Sequence, residues 1–131
     1  MAAPESYPDD LKYHRDHDWA RVDGDDAVLG ITWFAQDSLG ELVHFEAPET
    51  GATIGKDSAY GEVESVKAVS DVIAPLSGGI LEVNQGVVDA PETVNEDPYG
   101  DGWLIRIRMS SPDELEQLLD VAAYKKVLDE A

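Results

Sequence analysis

The chain contains no cysteine. Disulfides, thiolate metal sites and cysteine nucleophiles are therefore excluded. Positive charge is scarce: 9 Lys and Arg stand against 28 Asp and Glu, a formal charge of -19. Nucleic acid and anionic membranes are poor partners for such a surface, since affinity for phosphate backbones comes mainly from Lys and Arg. No apolar run is long enough to cross a bilayer. The opening Met1-Ala2-Ala3-Pro4-Glu5 lacks the basic and apolar regions of a signal peptide, so a soluble cytoplasmic protein is expected. A Gly-rich phosphate loop is missing, and so is a Ser–His–Asp pattern, so the chain is not expected to be an enzyme.

What is present is a foldable sequence. Hydrophobic residues make up 43% of 131, too many for a disordered acidic tail. The length fits one domain over 1–131 that closes its own core without staples. The acids are spread along the whole chain and not gathered in a tail. That favours a host with a high-salt cytoplasm, where dense ions screen repulsion to within ~3 Å. A melting temperature that stays put between dilute buffer and molar salt would remove this halophile reading.

Residues 1–10 are Pro- and acid-rich and read as a loose arm. Two β-prone runs, 19–22 and 27–32, flank Asp23-Gly24-Asp25, which predicts a hairpin because Gly readily takes the positive φ of a tight turn. Thr32 predicts the cap of a short helix and Gly40 its end. Further strands are expected over 42–46, 59–66, 69–74, 80–84 and 103–109, with 86–102 a mostly irregular connection. In the last strand Trp103, Ile105, Ile107 and Met109 share one face. Ser111-Pro112-Asp113-Glu114 reads as a capping box that opens C-terminal helices. The sum is a mainly-β sandwich or barrel with a short internal helix and C-terminal helices.

Lys67 falls where the chain reverses between two strands. A lone turn lysine is usually a plain solvated charge. A flexible arm tethered there, however, would meet successive partners at ~mM effective concentration. His14, His17 and Asp18 include metal-ligand types, but two histidines three apart are weak evidence, and a polar entry to the first strand is expected instead. His44 reads as a structural strand residue.

The residues around Lys67 carry a resemblance. Glu64-Ser65-Val66-Lys67-Ala68 with Ser70-Asp71-Val72, and Ala74-Pro75-Leu76-Ser77-Gly78, resemble the H-protein family of the glycine cleavage system, relatives of lipoyl and biotinyl carrier domains. Gly30-Ile31-Thr32 with Ala35-Gln36, Asn95-Glu96-Asp97-Pro98-Tyr99 with Gly102-Trp103-Leu104, and Ser111 to Leu115 match in order as well. The resemblance runs from about Tyr13 to about Leu128.

It implies a barrel-sandwich hybrid of two small antiparallel sheets, and lipoate attached covalently to Lys67. It also implies a carrier that takes an aminomethyl group from a pyridoxal-phosphate glycine decarboxylase to a folate-dependent aminomethyltransferase. Electrons then go to dihydrolipoamide dehydrogenase, and a lipoylating enzyme installs the arm. A monomer is the default for such a shuttle. By the same resemblance, Asp18 and Asp71 line the crevice that shelters the loaded arm. Ser38 stands where some relatives carry His. Glu64 and Ser65 either help the lipoylating enzyme read the turn or merely shape it. An alternative is an H-like carrier used for lipoate relay or another lipoyl-dependent complex. Biotin is disfavoured, because Val66 and Ala68 stand where biotin carriers place methionines.

Overall fold

A two-residue turn sets the first hairpin. Gly24 sits at φ 64°, and Asp23 faces Asp26 across the Gly24-Asp25 loop. This joins β2 (Asp18–Asp23) to β3 (Asp26–Ile31). The short strand β1 (Lys12–His14) pairs with β2. Thr32 then caps α1 (Trp33–Leu39) by accepting the Ala35 N–H, and Gly40 closes it at φ 84°. In the computed structural model, which describes residues 3–130, the chain continues through β4 (Leu42–Glu46), β5 (Thr53–Ile54), β6 (Ala59–Ser65), β7 (Val69–Ile73) and β8 (Gly78–Val83). It ends with α2 (Gln85–Asp89), α3 (Thr93–Glu96), β9 (Ile105–Met109), a 3-10 segment (Pro112–Gln117) and α4 (Val121–Glu130).

Two antiparallel sheets result, one of six strands in the order β1-β2-β3-β9-β8-β5 and one of three in the order β4-β6-β7. Leu29, Ile31, Phe45, Val63, Val72, Leu76, Ile105 and Ile107 belong to one buried cluster, drawn from both sheets. Leu11, Tyr13, Trp19, Tyr99 and Tyr124 form a second, aromatic cluster. Gly30 faces Trp19 across the hairpin, and a Cβ on it would come within 2.6 Å of the indole. Only glycine lets the ring lie flat on the strand there. The mainly-β expectation and the capped internal helix therefore hold.

Three details differ from the sequence reading. The described part of the N-terminal arm is tied down: Trp33 Nε1 donates to the Ala3 carbonyl at 2.7 Å, and Tyr99 Oη donates to the Ser6 carbonyl at 2.7 Å. Met1 and Ala2 lie outside the described residues. The connection 86–102 holds most of α2 and all of α3. Each has at most five residues, too few to show a helical period. Finally, the capping box does not form, and Ser111 makes no side-chain cap. Glu114 instead accepts from Ser77 N at 2.7 Å and from Ser77 Oγ at 2.8 Å, pinning the C-terminal segment to the start of β8.

Candidate functional site

The β6–β7 turn is built by its own serine. Ser65 is buried at 4% exposure, and its Oγ accepts the N–H groups of Lys67 and Ala68, each at 3.2 Å. The Ser65 N–H donates to the Ala68 carbonyl at 2.8 Å. These bonds hold the reversal in one shape and leave its tip bare. Val66 is 88% exposed, Lys67 is exposed, and among the described residues no carboxylate pairs with the Lys67 ammonium. A serine that spends its hydroxyl on the turn is shaping it, as side chains of this type commonly do. Glu64 is exposed on β6, between His44 of β4 and Val69 of β7.

The lysine stem lies against the end of α1: a Cβ placed on Gly40 would come 3.7 Å from Lys67 Cε. Asn95 fixes that end. Its Nδ2 donates to Gln36 Oε1 and to the Gly40 carbonyl, both at 2.9 Å, and its Oδ1 accepts the Leu42 N–H at 2.9 Å. Asn95 stands in a segment that the resemblance picked out, but its positioning role joins residues more than fifty apart and has no local signature.

Asp18 sits at the other end of α1. It opens β2 opposite Ile31, next to the Thr32 cap. α1 has seven residues, so its two ends are about 10 Å apart. Asp18 is 2% exposed, and its Oδ1 has no hydrogen-bond partner. Burial pushes its carboxyl well above the usual carboxylate range, a bond from the Ile73 backbone works against that, and the charge of Asp16 adds to it. An anion here would lack the cation that a buried carboxylate needs.

Asp71 and Ser38 are placed differently. Asp71 is exposed on β7, opposite Glu62, and no hydrogen bond or ion pair joins it to Asp18 among the described residues. Ser38 is exposed on α1, two residues before Gly40. Thus α1 has Lys67 at one end and Asp18 at the other, Ser38 lies in its last turn at the lysine end, and Asp71 is exposed on β7. The sequence reading missed Tyr60. Its hydroxyl is buried without a partner, and the charge of Asp18 acts on it.

The two N-terminal histidines serve packing. His14 Nε2 lies 2.6 Å from Asp57 Oδ1, and its Nδ1 accepts the Asp16 N–H at 3.0 Å. His17 Nδ1 meets Tyr124 Oη at 2.8 Å. His44 is exposed, with Glu46 at 3.0 Å. No described helix is long and apolar enough to cross a membrane.

Comparison with known proteins places this geometry. The family model described as glycine cleavage H-protein matches residues 11–131. A glycine cleavage system H protein of Anaeromyxobacter sp. (strain K) is 52% identical over 123 residues, covering 94% of this chain and 96% of its own. Its namesake in Halorhodospira halophila is 51% identical, covering 92% of this chain and 94% of its own. The crystal structure of a glycine cleavage system H protein from Mycobacterium marinum superposes with a TM-score of 0.85 at 41% identity, covering 92% of this chain and 97% of that one. Matched along nearly its whole length and in its fold, the chain belongs to the glycine cleavage H-protein family.

Proposed function

We propose that Lys67 bears the lipoyl arm of this chain, and that the chain is the carrier of a glycine cleavage system and not an enzyme. The carrying observation is the Ser65-built turn, which presents Lys67 bare at a hairpin tip. The residues present suit such an arm. The lysine stem already lies toward α1, the far end of α1 holds a buried carboxylate oxygen without a partner, and an extended lipoyl-lysine is comparable in length to α1. When bound, the lipoyl group supplies the dithiolane that accepts the aminomethyl unit and the electrons.

The chain itself supplies position and shelter, while the hard chemistry belongs to the partners' cofactors. Lys67 swings the arm outward to the pyridoxal-phosphate glycine decarboxylase, the folate-dependent aminomethyltransferase and dihydrolipoamide dehydrogenase in turn. Tethering makes each encounter local, so no tight docking is needed. Between encounters the arm lies along α1, with its cationic amine toward Asp18. A carboxylate is the partner such an amine requires once water is excluded. Asp71 and Ser38 flank the entrance to this crevice. Glu64 and Ser65 present the turn to the lipoylating enzyme, Ser65 through the turn geometry that it sets. Residues 1–131 act as one domain, a cytoplasmic monomer in a high-salt host.

The test is the intact mass of the chain from its own host, followed by peptide mapping. One lipoyl group on Lys67, absent from Lys67→Arg, is the expected result. A bare Lys67 in cells that lipoylate other proteins would sink the carrier mechanism.

A further inference from the structure

Tyr60 is inward-facing because of an irregularity in its strand. From Ser65 back through Val63 the inward positions of β6 alternate, which would turn Gly61 and Ala59 inward and Tyr60 outward. The pairing of β6 with β7 shifts between Ala59 and Gly61, a bulge of the kind that re-aims a side chain. Tyr60 is consequently 6% exposed while Ala59 is exposed.

The re-aimed hydroxyl gains nothing from its neighbours. Among the described residues, Tyr60 Oη and Asp18 Oδ1 are the two buried side-chain polar atoms with no hydrogen-bond partner. They are close enough for the carboxylate charge to act on the phenol, yet they do not bond to each other. Other polar groups nearby are engaged: Thr32 Oγ1 and Tyr124 Oη bond at 2.8 Å, and His17 Nδ1 meets Tyr124 Oη at 2.8 Å. Two orphaned polar groups in a folded interior cost stability, and each oxygen can accept a hydrogen bond. A small guest with several N–H donors and one positive charge can donate to both oxygens.

We propose that the Tyr60 hydroxyl is a second contact, beside Asp18, for the cationic amine of the loaded arm. This rests on the reading that the arm docks along α1 toward Asp18. The carboxylate supplies the counter-charge and the phenol oxygen accepts one further N–H. Together they would fix the amine from two strands, β2 and β6, one in each sheet. No covalent step is involved.

The experiment uses the full-length lipoylated chain, loaded with glycine by glycine decarboxylase and then separated from it. Intact mass follows the loss of the aminomethyl unit, which water releases as formaldehyde and ammonia while the arm regains its thiol. Tyr60→Phe keeps the ring and removes only the hydroxyl. The expected result is a loss roughly tenfold faster than in the wild type, the order of one hydrogen bond to a charged group. In the same variant the melting temperature of the empty, unlipoylated chain stays the same or rises, because an orphaned buried hydroxyl has gone. Loss at the wild-type rate overturns the proposal. So does a lowered melting temperature in the empty chain, which would give the hydroxyl a structural partner. Asp18→Asn separates the two ideas. If it speeds loss and Tyr60→Phe does not, Tyr60 alone is wrong. If neither speeds loss, the docking along α1 fails as well.

Discussion

Tyr124 and Tyr60 are both buried, at 0% and 6% exposure, yet they live in opposite chemical settings. The Tyr124 hydroxyl meets Thr32 Oγ1 and His17 Nδ1, each at 2.8 Å. Its ring stacks on Tyr13 with centroids 4.6 Å apart. The Tyr60 hydroxyl meets nothing. Burial raises both phenols, and the charge of Asp18 contributes to each. The same carboxylate thus acts on one phenol whose network is closed and on one whose network is open. A polar group that closes a network is there for the fold. One left open in an interior costs stability, and the fold by itself gives no return for it.

The largest effect expected from this contrast is in Tyr124→Phe. Removing that hydroxyl leaves Thr32 and His17 short of a partner. The loss should be about 1–3 kcal/mol, read by denaturant unfolding. Tyr60→Phe makes the same chemical change, and a comparable loss there would erase the distinction.

Next comes a pH effect at Asp18. Its folded carboxyl titrates above the ordinary value of 3.8. Above that value the unfolded chain gives up its proton while the folded chain keeps it. Stability therefore falls as pH rises from about 4 through the folded pKa. Asp18→Asn has no proton to lose, so its advantage over the wild type should widen across that window. Parallel melting-temperature curves against pH would sink this. Burial lowers the His17 pKa, which costs stability as pH falls below its usual 6.5. Both proteins share that term, so it cancels in the difference.

The smallest effect belongs to the turn tip. Val66 is 88% exposed, so Val66→Ser should shift unfolding by no more than about 0.5 kcal/mol. A larger shift would mean that the tip is packed and not presented.

Features written in neighbouring residues were readable from the chain alone. The Gly24 turn, the Thr32 cap and the Gly40 stop each need only a few positions and a φ preference, and each is found. The reversal at Lys67 was visible for the same reason, flanked as it is by two β-prone runs. What escaped was non-local. The arm at 3–10 looked loose because its anchors, Trp33 and Tyr99, lie far along the chain. Ser111 to Glu114 had the letters of a capping box, but Ser77 competed successfully for the Glu114 carboxylate. Tyr60 is 42 positions from Asp18, and a bulge announces itself through pairing and not composition. Within the candidate site, the lysine and its serine could be found in one stretch of text. Asp18, at the other end of α1, was named through the resemblance alone, and Tyr60 was not named at all.

The strand that leaves Lys67 is also the outermost strand of its sheet. Such a border offers unpaired peptide groups to any extended chain that drifts past, including a second copy of this one. β7 answers with charge and with brevity. Asp71 puts an exposed charge midway along it, and the strand is only five residues long, Val69–Ile73. A short, charged border leaves little room for strand addition, which keeps a hairpin made for brief visits from adhering to its own kind.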